Sequence, residues 1–320
     1  MITNKIPSTF KKIGICTDIH FGRRNNSKVH NQDCLDFLSW FASKIHEAGD
    51  YSHIAFLGDW YESRSAINIE TLEYSYKGLK MLNDIGIPVY FVVGNHDLHR
   101  RTTRDVHSVR MFQEMSNFVV VDKPTVVDSM LFSPFLFEEE YQDIIQYNDL
   151  YAFFGHFEFK NFVITGYNTL MEHGPDHKLF NGPKKIFSGH FHKRQANDNV
   201  IYVGNAFPMD FGDAGDFERG MCTYHVLEDR VEFDNWEEAP SYGKTTLSKV
   251  MEGDWEPRAK MKVKCTIDAD FAYSEAQELR DGMIELYGLR DFILEEDRAA
   301  KQGLLEGETT KVTESIGVDF

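Results

Sequence analysis

Five short apolar segments of this chain each end in a cluster of residues that can bind a metal ion. The clusters are Asp18-x-His20, Gly58-Asp59, Gly94-Asn95-His96-Asp97, Gly155-His156 and Gly189-His190-Phe191-His192. In open α/β sheets, ligands bind outside the carboxyl ends of the strands. The pattern therefore predicts a fold in which five strand ends converge on one site, and it constrains the chain more than any other feature.

Apolar runs and helical stripes alternate over the first hundred residues. KIGICTD (residues 12–18), HIAFLGD (53–59) and PVYFVVGNHD (88–97) predict strands that are buried on both faces. Between them, apolar residues at helical spacing predict two helices. The inner stripe of the first is Cys34, Phe37, Leu38, Phe41 and Ile45, and that of the second is Ile69, Leu72, Tyr76, Leu79 and Leu82. We interpret Phe37 and Phe41 as core residues rather than a dimer face.

After about residue 117 the chain is rich in closely spaced β-type runs. Together with the helical front part, this predicts an α/β fold with a β-sandwich flanked by helices. The polar segment 236–260 loses the strand period and predicts a domain boundary, giving domains 1–240 and 241–320. The second domain is predicted to be a small β-α-β unit with strands KMKVKCTID (260–268) and LRDFILEED (289–297), followed by an acidic tail.

Each metal-capable cluster alone has an ordinary structural explanation. Gly-Asp is a common turn pair, and a single Asp-x-His arises often by chance. The GNHD cluster could be a turn with a surface histidine, and the two histidines of GHFH could point outward together from a strand end. Five such coincidences in one chain are a weaker explanation than one shared site.

The donor chemistry of the clusters points to a pair of divalent metals. Oxygen and imidazole ligands without thiolate suit Mn, Fe or Zn better than a structural cysteine-based zinc site. Two metals ~3.5–4 Å apart clamp a phosphoryl group and lower the pKa of a bridging water. Asp59 is the natural bridging carboxylate, and His96 can serve as a general acid if Asn95 binds metal.

The charge balance of the 320-residue chain is strongly acidic, with a formal net charge of −17. This argues against nonspecific attraction to nucleic acid, yet local basic clusters remain effective because the Debye length is only ~8 Å at physiological salt. Basic residues follow three of the five clusters. They are Arg23, Arg24, Arg100, Arg101, Arg104, Lys193 and Arg194. We expect phosphate-backbone contacts from them, the alternative being solvated loop charges.

Other features narrow the setting of the protein. No run approaches the ~18 apolar residues of a membrane helix, and the first residues lack the apolar stretch of a signal peptide. A cytoplasmic protein without membrane contact is therefore expected. The cysteines are scattered, which predicts neither a disulfide framework nor a zinc ribbon. They are Cys16, Cys34, Cys222 and Cys265.

In their order and composition, the five clusters resemble the calcineurin-like metallophosphoesterases over about residues 12–234. The resemblance implies one metal held by Asp18, His20, Asp59 and His192. It implies a second metal held by Asp59, Asn95, His156 and His190. It also implies His96 as the acid that protonates the leaving group.

Two further segments resemble a narrower group, the SbcD-type DNA-repair nucleases. YVGNAFPMDFGDAGDFERG (202–220) is similar to their YxGSPxxxxFGExxxxKG stretch, and the small β-α-β unit resembles their DNA-capping domain. GNHDLH (94–99) resembles the recombination-endonuclease subunits of T-even-type phages within this group. The resemblance implies a manganese-dependent DNA exo- and endonuclease acting on double-stranded ends and on single strands. It also implies a homodimer that works with an SbcC-type ATPase of the SMC class.

The chain departs from the family pattern at a few positions. Glu62 stands where the family has Asp or His, and Asn205-Ala206 replaces Ser-Pro. The helices that dock the ATPase in relatives are expected either to be short in this chain or to be supplied by residues around 304–320. Two alternatives to a DNA nuclease remain, a phosphomonoesterase of the same superfamily and a non-catalytic scaffold that binds DNA ends.

Overall fold

The computed structural model describes residues 5–164, 169–268 and 273–296. The chain divides into two compact units between Ala239 and Pro240. The expected acidic tail lies largely outside the described residues, and the expected ATPase-docking segment around residues 304–320 lies entirely outside them. None of the helices in the described parts of the chain has the length and hydropathy that a membrane crossing demands.

In its described residues, the first unit contains fourteen strands and four α-helices. The strands are β1 (Lys12–Cys16), β2 (His53–Phe56), β3 (Val89–Val92), β4 (Leu98–Arg100), β5 (Thr103–His107), β6 (Phe118–Val121), β7 (Thr125–Val127), β8 (Met130–Ser133), β9 (Ala152–Gly155), β10 (Lys185–Ser188), β11 (Gln195–Asn197), β12 (Val200–Tyr202), β13 (Gly220–His225) and β14 (Arg230–Asn235). The helices are α1 (Arg23–Asn26), α2 (Lys28–Ala48), α3 (Ile69–Asp84) and α4 (Tyr141–Ile144).

Two six-stranded sheets of the first unit pack face to face. One has the order β14-β13-β1-β2-β3-β6 and the other β11-β12-β10-β9-β8-β7, while β4 and β5 form a separate hairpin. Tyr90 of the first sheet stacks on Phe132 of the second with ring centroids 4.2 Å apart. Phe187 and Tyr224 pack across the same interface at 4.9 Å. These rings belong to one buried apolar cluster, and two further clusters lie on the outer faces. The predicted α/β fold with a β-sandwich flanked by helices is thus confirmed.

The outer face of the first sheet is covered by α2 and α3. Phe37 and Phe41 are fully buried, as expected for core residues. The inner stripe predicted for α3 is correct only in its second half. Leu79 and Leu82 are buried, but Ile69, Leu72 and Tyr76 are 85%, 41% and 51% exposed. The first half of α3 instead faces the core with the small residues Thr71 and Ser75, and Gly78 follows on the same buried side.

Within residues 240–268 and 273–296, the second unit has one strand more than the sequence predicted. Its elements are β15 (Ser241–Thr246), α5 (Leu247–Glu252), β16 (Met261–Ile267), α6 (Tyr273–Tyr287) and β17 (Asp291–Glu296). The strands form a parallel sheet in the order β15-β16-β17. The predicted β-α-β unit is present, but the polar segment before it supplies β15 and α5. Parallel strands need a crossover, and helices provide it here.

Candidate metal centre

The five clusters lie at the carboxyl ends of β1, β2, β3, β9 and β10. The first three strands are parallel neighbours in one sheet, and β9 and β10 are parallel neighbours in the other. The loops after β1 and β2 run side by side, because the Asp18 N–H donates to the Gly58 carbonyl at 3.0 Å and the His20 N–H to the Asp59 carbonyl at 3.2 Å. The carboxyl edges of both sheets therefore contribute to one site.

Four candidate ligands adopt a left-handed backbone conformation that is uncommon for non-glycine residues. Their φ angles are 51° for Asp18, 54° for His20, 58° for Asp59 and 87° for His190. Such conformations cost of the order of 1–3 kcal/mol each and persist only where the surroundings enforce them. Four such residues at one site indicate that the surrounding packing fixes the orientation of these candidate ligand side chains.

A first group of donors consists of Asp18, His20, Asp59 and His192. His20 Nε2 lies 3.2 Å from His192 Nε2, 3.7 Å from Asp18 Oδ1 and 3.9 Å from Asp59 Oδ2. His192 Nε2 lies 3.8 Å from Asp18 Oδ1. Donor atoms about 2.0–2.2 Å from one metal ion are separated by about 3.0–3.5 Å, so this group approaches the spacing of a metal site.

A second group of donors consists of Asp59, Asn95, His156 and His190. Asn95 Oδ1 lies 2.9 Å from both His156 Nε2 and His190 Nδ1. His156 Nε2 lies 3.4 Å from Asp59 Oδ2. The His156 Nδ1–H donates to the Leu57 carbonyl at 2.7 Å, which leaves Nε2 to face the group. Asp59 Oδ2 thus faces both groups.

Buried charge at the site fits divalent cations. Asp18 Oδ1 is buried and accepts no hydrogen bond from any described residue. Burial disfavours the cationic form of His20, but Asp18 and Glu62 outweigh this and raise the pKa of His20 to about 10. In the same way, Asp59 raises the pKa of His156 to about 9 against the effect of burial. The buried carboxylates therefore stabilise positive charge beside them, and metal ions would supply such charge.

His96 lies beside the two groups with one ring nitrogen already engaged. Its backbone N–H donates to Asp59 Oδ1 at 2.8 Å, and Nδ1–H donates to the Glu62 carbonyl at 2.8 Å. The ring packs edge-on against His20 with centroids 5.0 Å apart. Burial lowers the pKa of His96, although Asp59 opposes the shift. Nε2 is therefore the ring nitrogen that the bond to Glu62 leaves available.

The two histidines of GHFH do not act as a pair on one side of an extended strand. Strand β10 ends at Ser188, and the left-handed His190 turns the chain. As a result, His190 faces Asn95 while His192 faces His20. Because of this turn, the side chains of His190 and His192 lie in different donor groups.

Asp97 has a role that sequence reasoning missed. It is fully buried, and its two oxygens accept hydrogen bonds from the backbone N–H groups of Asp59, Trp60, Tyr61 and Gly94 at 3.0, 3.0, 3.3 and 2.9 Å. Burial and the neighbouring Asp59 raise the pKa of Asp97 to about 7, against these bonds. Asp97 ties the loop after β2 to the loop after β3. The position of this acidic residue directly before the apolar Leu98 was the sequence signal that could have indicated its burial.

The predicted phosphate-binding residues occupy different surroundings. Arg23 pairs with Glu62 and Asp210, and Arg24 donates to the Met209 carbonyl. Arg104 pairs with Glu140. Arg194 donates to Asn235 and lies over the Phe233 ring, and Lys193 is half-buried beside it. Arg100 and Arg101 are exposed at the β4–β5 hairpin. The clusters therefore differ in how freely their side chains can reach a ligand.

Comparison with known proteins defines the class. Residues 11–194 match the family model of the calcineurin-like phosphoesterases. The chain belongs to this family, whose members are metal-dependent hydrolases, and the described residues include His/Asp clusters able to hold a metal. The resemblance inferred from the five clusters is confirmed.

Among curated proteins, the chain is 30% identical over 184 residues to Exonuclease subunit 1 of Enterobacteria phage T4. The match covers 55% of this chain and 53% of that protein, so the chain spans about half the length of the relative. A dimetal phosphatase from Danio rerio aligns with a TM-score of 0.43 and 10% identity, over 71% of this chain and 96% of its own. Pseudomonas putida nuclease MPE aligns with a TM-score of 0.33 and 14% identity, over 69% and 87%. The family assignment rests on the family model.

Gly94 provides a first test of the site. A Cβ at this position would collide with the Asp59 side chain and backbone nitrogen. We expect Gly94→Ala to displace Asp59 and to lower metal-dependent hydrolysis at least about 100-fold. Gly282→Ala in α6 is the matched control, since its added Cβ meets nothing within 4 Å. Steady-state hydrolysis measured on both variants checks this, and wild-type activity in Gly94→Ala would contradict the crowding argument.

Asp97 provides a test of stability. Asp97→Asn replaces one accepting oxygen with an NH₂ group, so two of the four backbone N–H groups lose their acceptor. Leaving buried donors unsatisfied costs about 1–3 kcal/mol each, so we expect a loss of at least about 2 kcal/mol in the free energy of unfolding. Urea unfolding measures it. Asp50→Asn, at a side chain that is 63% exposed, should change stability by less than about 1 kcal/mol.

Proposed function

We propose that this protein is a DNA nuclease that hydrolyses phosphodiesters with two divalent metal ions, and that these ions are Mn²⁺. The observation that carries the proposal is the pair of donor groups that share Asp59, with His96 beside them. Asp18, His20, Asp59 and His192 would hold one metal, and Asp59, Asn95, His156 and His190 the other. Bound there, the metals would supply Lewis-acid stabilisation of the phosphoryl group and a more acidic water.

In this proposal, His96 protonates the sugar oxygen that leaves when the phosphodiester is cleaved. The Nδ1–H of His96 is engaged with the Glu62 carbonyl. In the imidazolium form, which is protonated on both ring nitrogens, Nε2–H therefore gives its proton to the departing sugar oxygen and leaves the ring neutral. The hydrogen bond from the His96 N–H to Asp59 Oδ1 keeps the acid next to the phosphoryl site. General acid catalysis of this kind contributes about 10²–10⁴-fold.

Two features favour DNA over a phosphomonoester. The matched relative is named an exonuclease subunit. Arg100 and Arg101 are exposed on the hairpin that directly follows His96 and Asp97, where they could contact phosphates beyond the scissile one. Contacts to several phosphates supply sequence-independent affinity for a nucleic acid and are of no use for a small phosphomonoester. Arg23, Arg24, Arg104, Lys193 and Arg194 are the remaining residues proposed to face the DNA backbone.

The proposal extends to the setting of the enzyme. We propose a homodimer that acts on double-stranded DNA ends, and on single strands, together with an SbcC-type ATPase of the SMC class. Such an assembly would serve double-strand-break repair and recombination. The location would be the cytoplasm, or the host cytoplasm if the protein is phage-encoded.

Cleavage of end-labelled linear DNA tests the proposal. Duplex and single-stranded substrates are incubated with the purified protein in Mn²⁺ or in EDTA, with an aryl phosphate as the comparison substrate. Release of nucleotides only with Mn²⁺ supports the nuclease. Aryl-phosphate hydrolysis without DNA cleavage would favour a phosphomonoesterase, and DNA binding without any hydrolysis would favour the scaffold. Repeating the assay with an SbcC-type partner distinguishes a scaffold from a partner-dependent enzyme.

A further inference from the structure

Two of the candidate metal ligands have a glutamate directly behind them. Glu62 Oε2 lies 2.9 Å from His20 Nδ1, and Glu158 Oε2 lies 2.9 Å from His190 Nε2. His20 belongs to the first donor group and His190 to the second. Each group thus contains one histidine that is in contact with a carboxylate outside the group.

The two histidines contact their glutamates through opposite ring nitrogens. His20 turns Nε2 toward the donors of its group and Nδ1 toward Glu62. His190 turns Nδ1 toward Asn95 and Nε2 toward Glu158. A neutral imidazole has one N–H and one lone pair, so a carboxylate that accepts from the outer nitrogen leaves the inner lone pair for a cation. Glu158 accepts from His190 Nε2 and so favours the tautomer with a lone pair on Nδ1. Glu62 places a negative charge 2.9 Å from His20 Nδ1 and so favours the proton on that nitrogen electrostatically.

Both glutamates are held in place by other parts of the fold. Arg23 Nη1 lies 3.2 Å from Glu62 Oε2, and Arg23 Nη2 pairs with Asp210 at 2.9 Å. The backbone N–H of Glu158 donates to the hydroxyl of the buried Tyr141 at 2.7 Å. Each glutamate side chain is 31% exposed. Each is thus anchored near its histidine while remaining outside the donor group.

We propose that Glu62 and Glu158 are positioning residues, one for each metal, that orient His20 and His190 and fix their metal-binding tautomers. This inference rests on the proposed two-metal centre. Partners of this kind strengthen metal binding about 10–100-fold. Glu62 has a second contact that substitution of its side chain would leave intact, because its backbone carbonyl accepts from His96 Nδ1. The effect of changing its carboxylate should therefore appear in metal affinity rather than in turnover at saturating metal.

Manganese binding to the 320-residue protein tests the proposal directly. Free Mn²⁺ is followed by electron paramagnetic resonance during titration of the wild type, Glu62→Gln, Glu158→Gln and the double variant. We expect each single substitution to weaken one of two bound ions about 10–100-fold, and the double substitution to weaken both. Glu232→Gln is the matched control, since Glu232 Oε2 lies 2.9 Å from His225 Nε2, away from both donor groups. It should bind Mn²⁺ as the wild type does.

The same glutamine substitutions made in a His190→Ala variant test which histidine each glutamate acts through. In His190→Ala, Glu158→Gln should have no further effect on the remaining ion, whereas Glu62→Gln should still weaken it. An equal effect of Glu158→Gln in both backgrounds would overturn the proposed route through His190. The activity profile adds a further check, because Glu62→Gln should raise the Mn²⁺ concentration needed for half-maximal rate with little change in kcat at saturation.

The outcomes separate this inference from the proposed function. A wild type that binds two Mn²⁺ ions, together with glutamine variants that bind them equally well, would overturn the role of the glutamates and leave the two-metal centre standing. A wild type that binds no Mn²⁺ would overturn both. Thermal unfolding of every variant in EDTA shows whether a loss of binding reflects a loss of folding instead of a change at the ligand.

Discussion

Replacing Asp59 with Ala is expected to eliminate binding of both metal ions and to lower kcat/KM at least about 1,000-fold, or about 4 kcal/mol. Asp59 Oδ2 lies 3.4 Å from His156 Nε2 and 3.9 Å from His20 Nε2, so its loss removes a donor from both groups. The same substitution also removes the acceptor of the His96 N–H. Mn²⁺ titration and hydrolysis assays on one preparation measure both effects.

A second variant separates charge from backbone conformation at this position. Asp59 has a φ of 58°, and Asn tolerates this left-handed conformation better than Ala does. Asp59→Asn therefore keeps the backbone and one side-chain oxygen but removes the negative charge. We expect it to lose most metal binding while staying as stable as the wild type in EDTA. Wild-type affinity for two Mn²⁺ ions in either variant would show that Asp59 does not bridge the groups.

Replacing His96 with Ala is expected to leave metal binding intact but to reduce the cleavage rate about 10²–10⁴-fold. His96 is not a member of either proposed donor group, and its Nδ1 is engaged with the Glu62 carbonyl. The loss should therefore fall on kcat. Single-turnover cleavage of DNA at saturating Mn²⁺ measures it, and His46→Ala at an exposed histidine of α2 is the control.

A comparison of two substrates with different leaving groups makes the test of His96 more specific. A nitrophenyl phosphodiester releases a nitrophenolate that needs little protonation, whereas DNA releases a basic sugar oxygen. If His96 is the acid, the substitution should slow DNA cleavage far more than cleavage of the nitrophenyl ester. Equal losses on both substrates would indicate that His96 binds the phosphoryl group or positions its neighbours. An unchanged rate on DNA would remove it from the mechanism.

Local sequence patterns were sufficient for the elements around the site. The runs ending at Asp18, Asp59 and Asp97 contain strands β1, β2 and β3, which are buried on both faces. A parallel strand covered on both sides must be apolar along its length, so its end is visible as the first polar residue. This is why the five clusters could be placed at strand ends without a structure.

The same patterns failed where neighbours distant in the chain decide the packing. The predicted stripe of α3 was wrong in its first half because Ser75 faces inward, where Trp60 Nε1–H donates to its hydroxyl at 2.8 Å. Gly78 lies so close to Leu38 and Phe21 that a side chain would crowd them. Strand β15 was missed because small residues, Ser241, Gly243 and Thr245, form its buried face in place of apolar ones. In both α3 and β15, small residues occupy the buried face where apolar residues would be expected. The hydrophobic periodicity of the sequence therefore does not show that these faces are buried.

By itself, the sequence determined the kinds of donor at the site and their placement at the ends of strands, because chain-local patterning specifies where a buried strand stops. Spacing along the chain did not show which donors join which group; the family resemblance implied the grouping, and the tertiary structure gave the distances between the donor atoms. His20 and His192 are 172 positions apart in the chain, yet their Nε2 atoms lie 3.2 Å apart. The tertiary structure also decided which nitrogen of each histidine faces inward, and that Asp97 binds backbone N–H groups. These relations depend on backbone turns and on contacts between distant loops, which spacing along a chain does not encode.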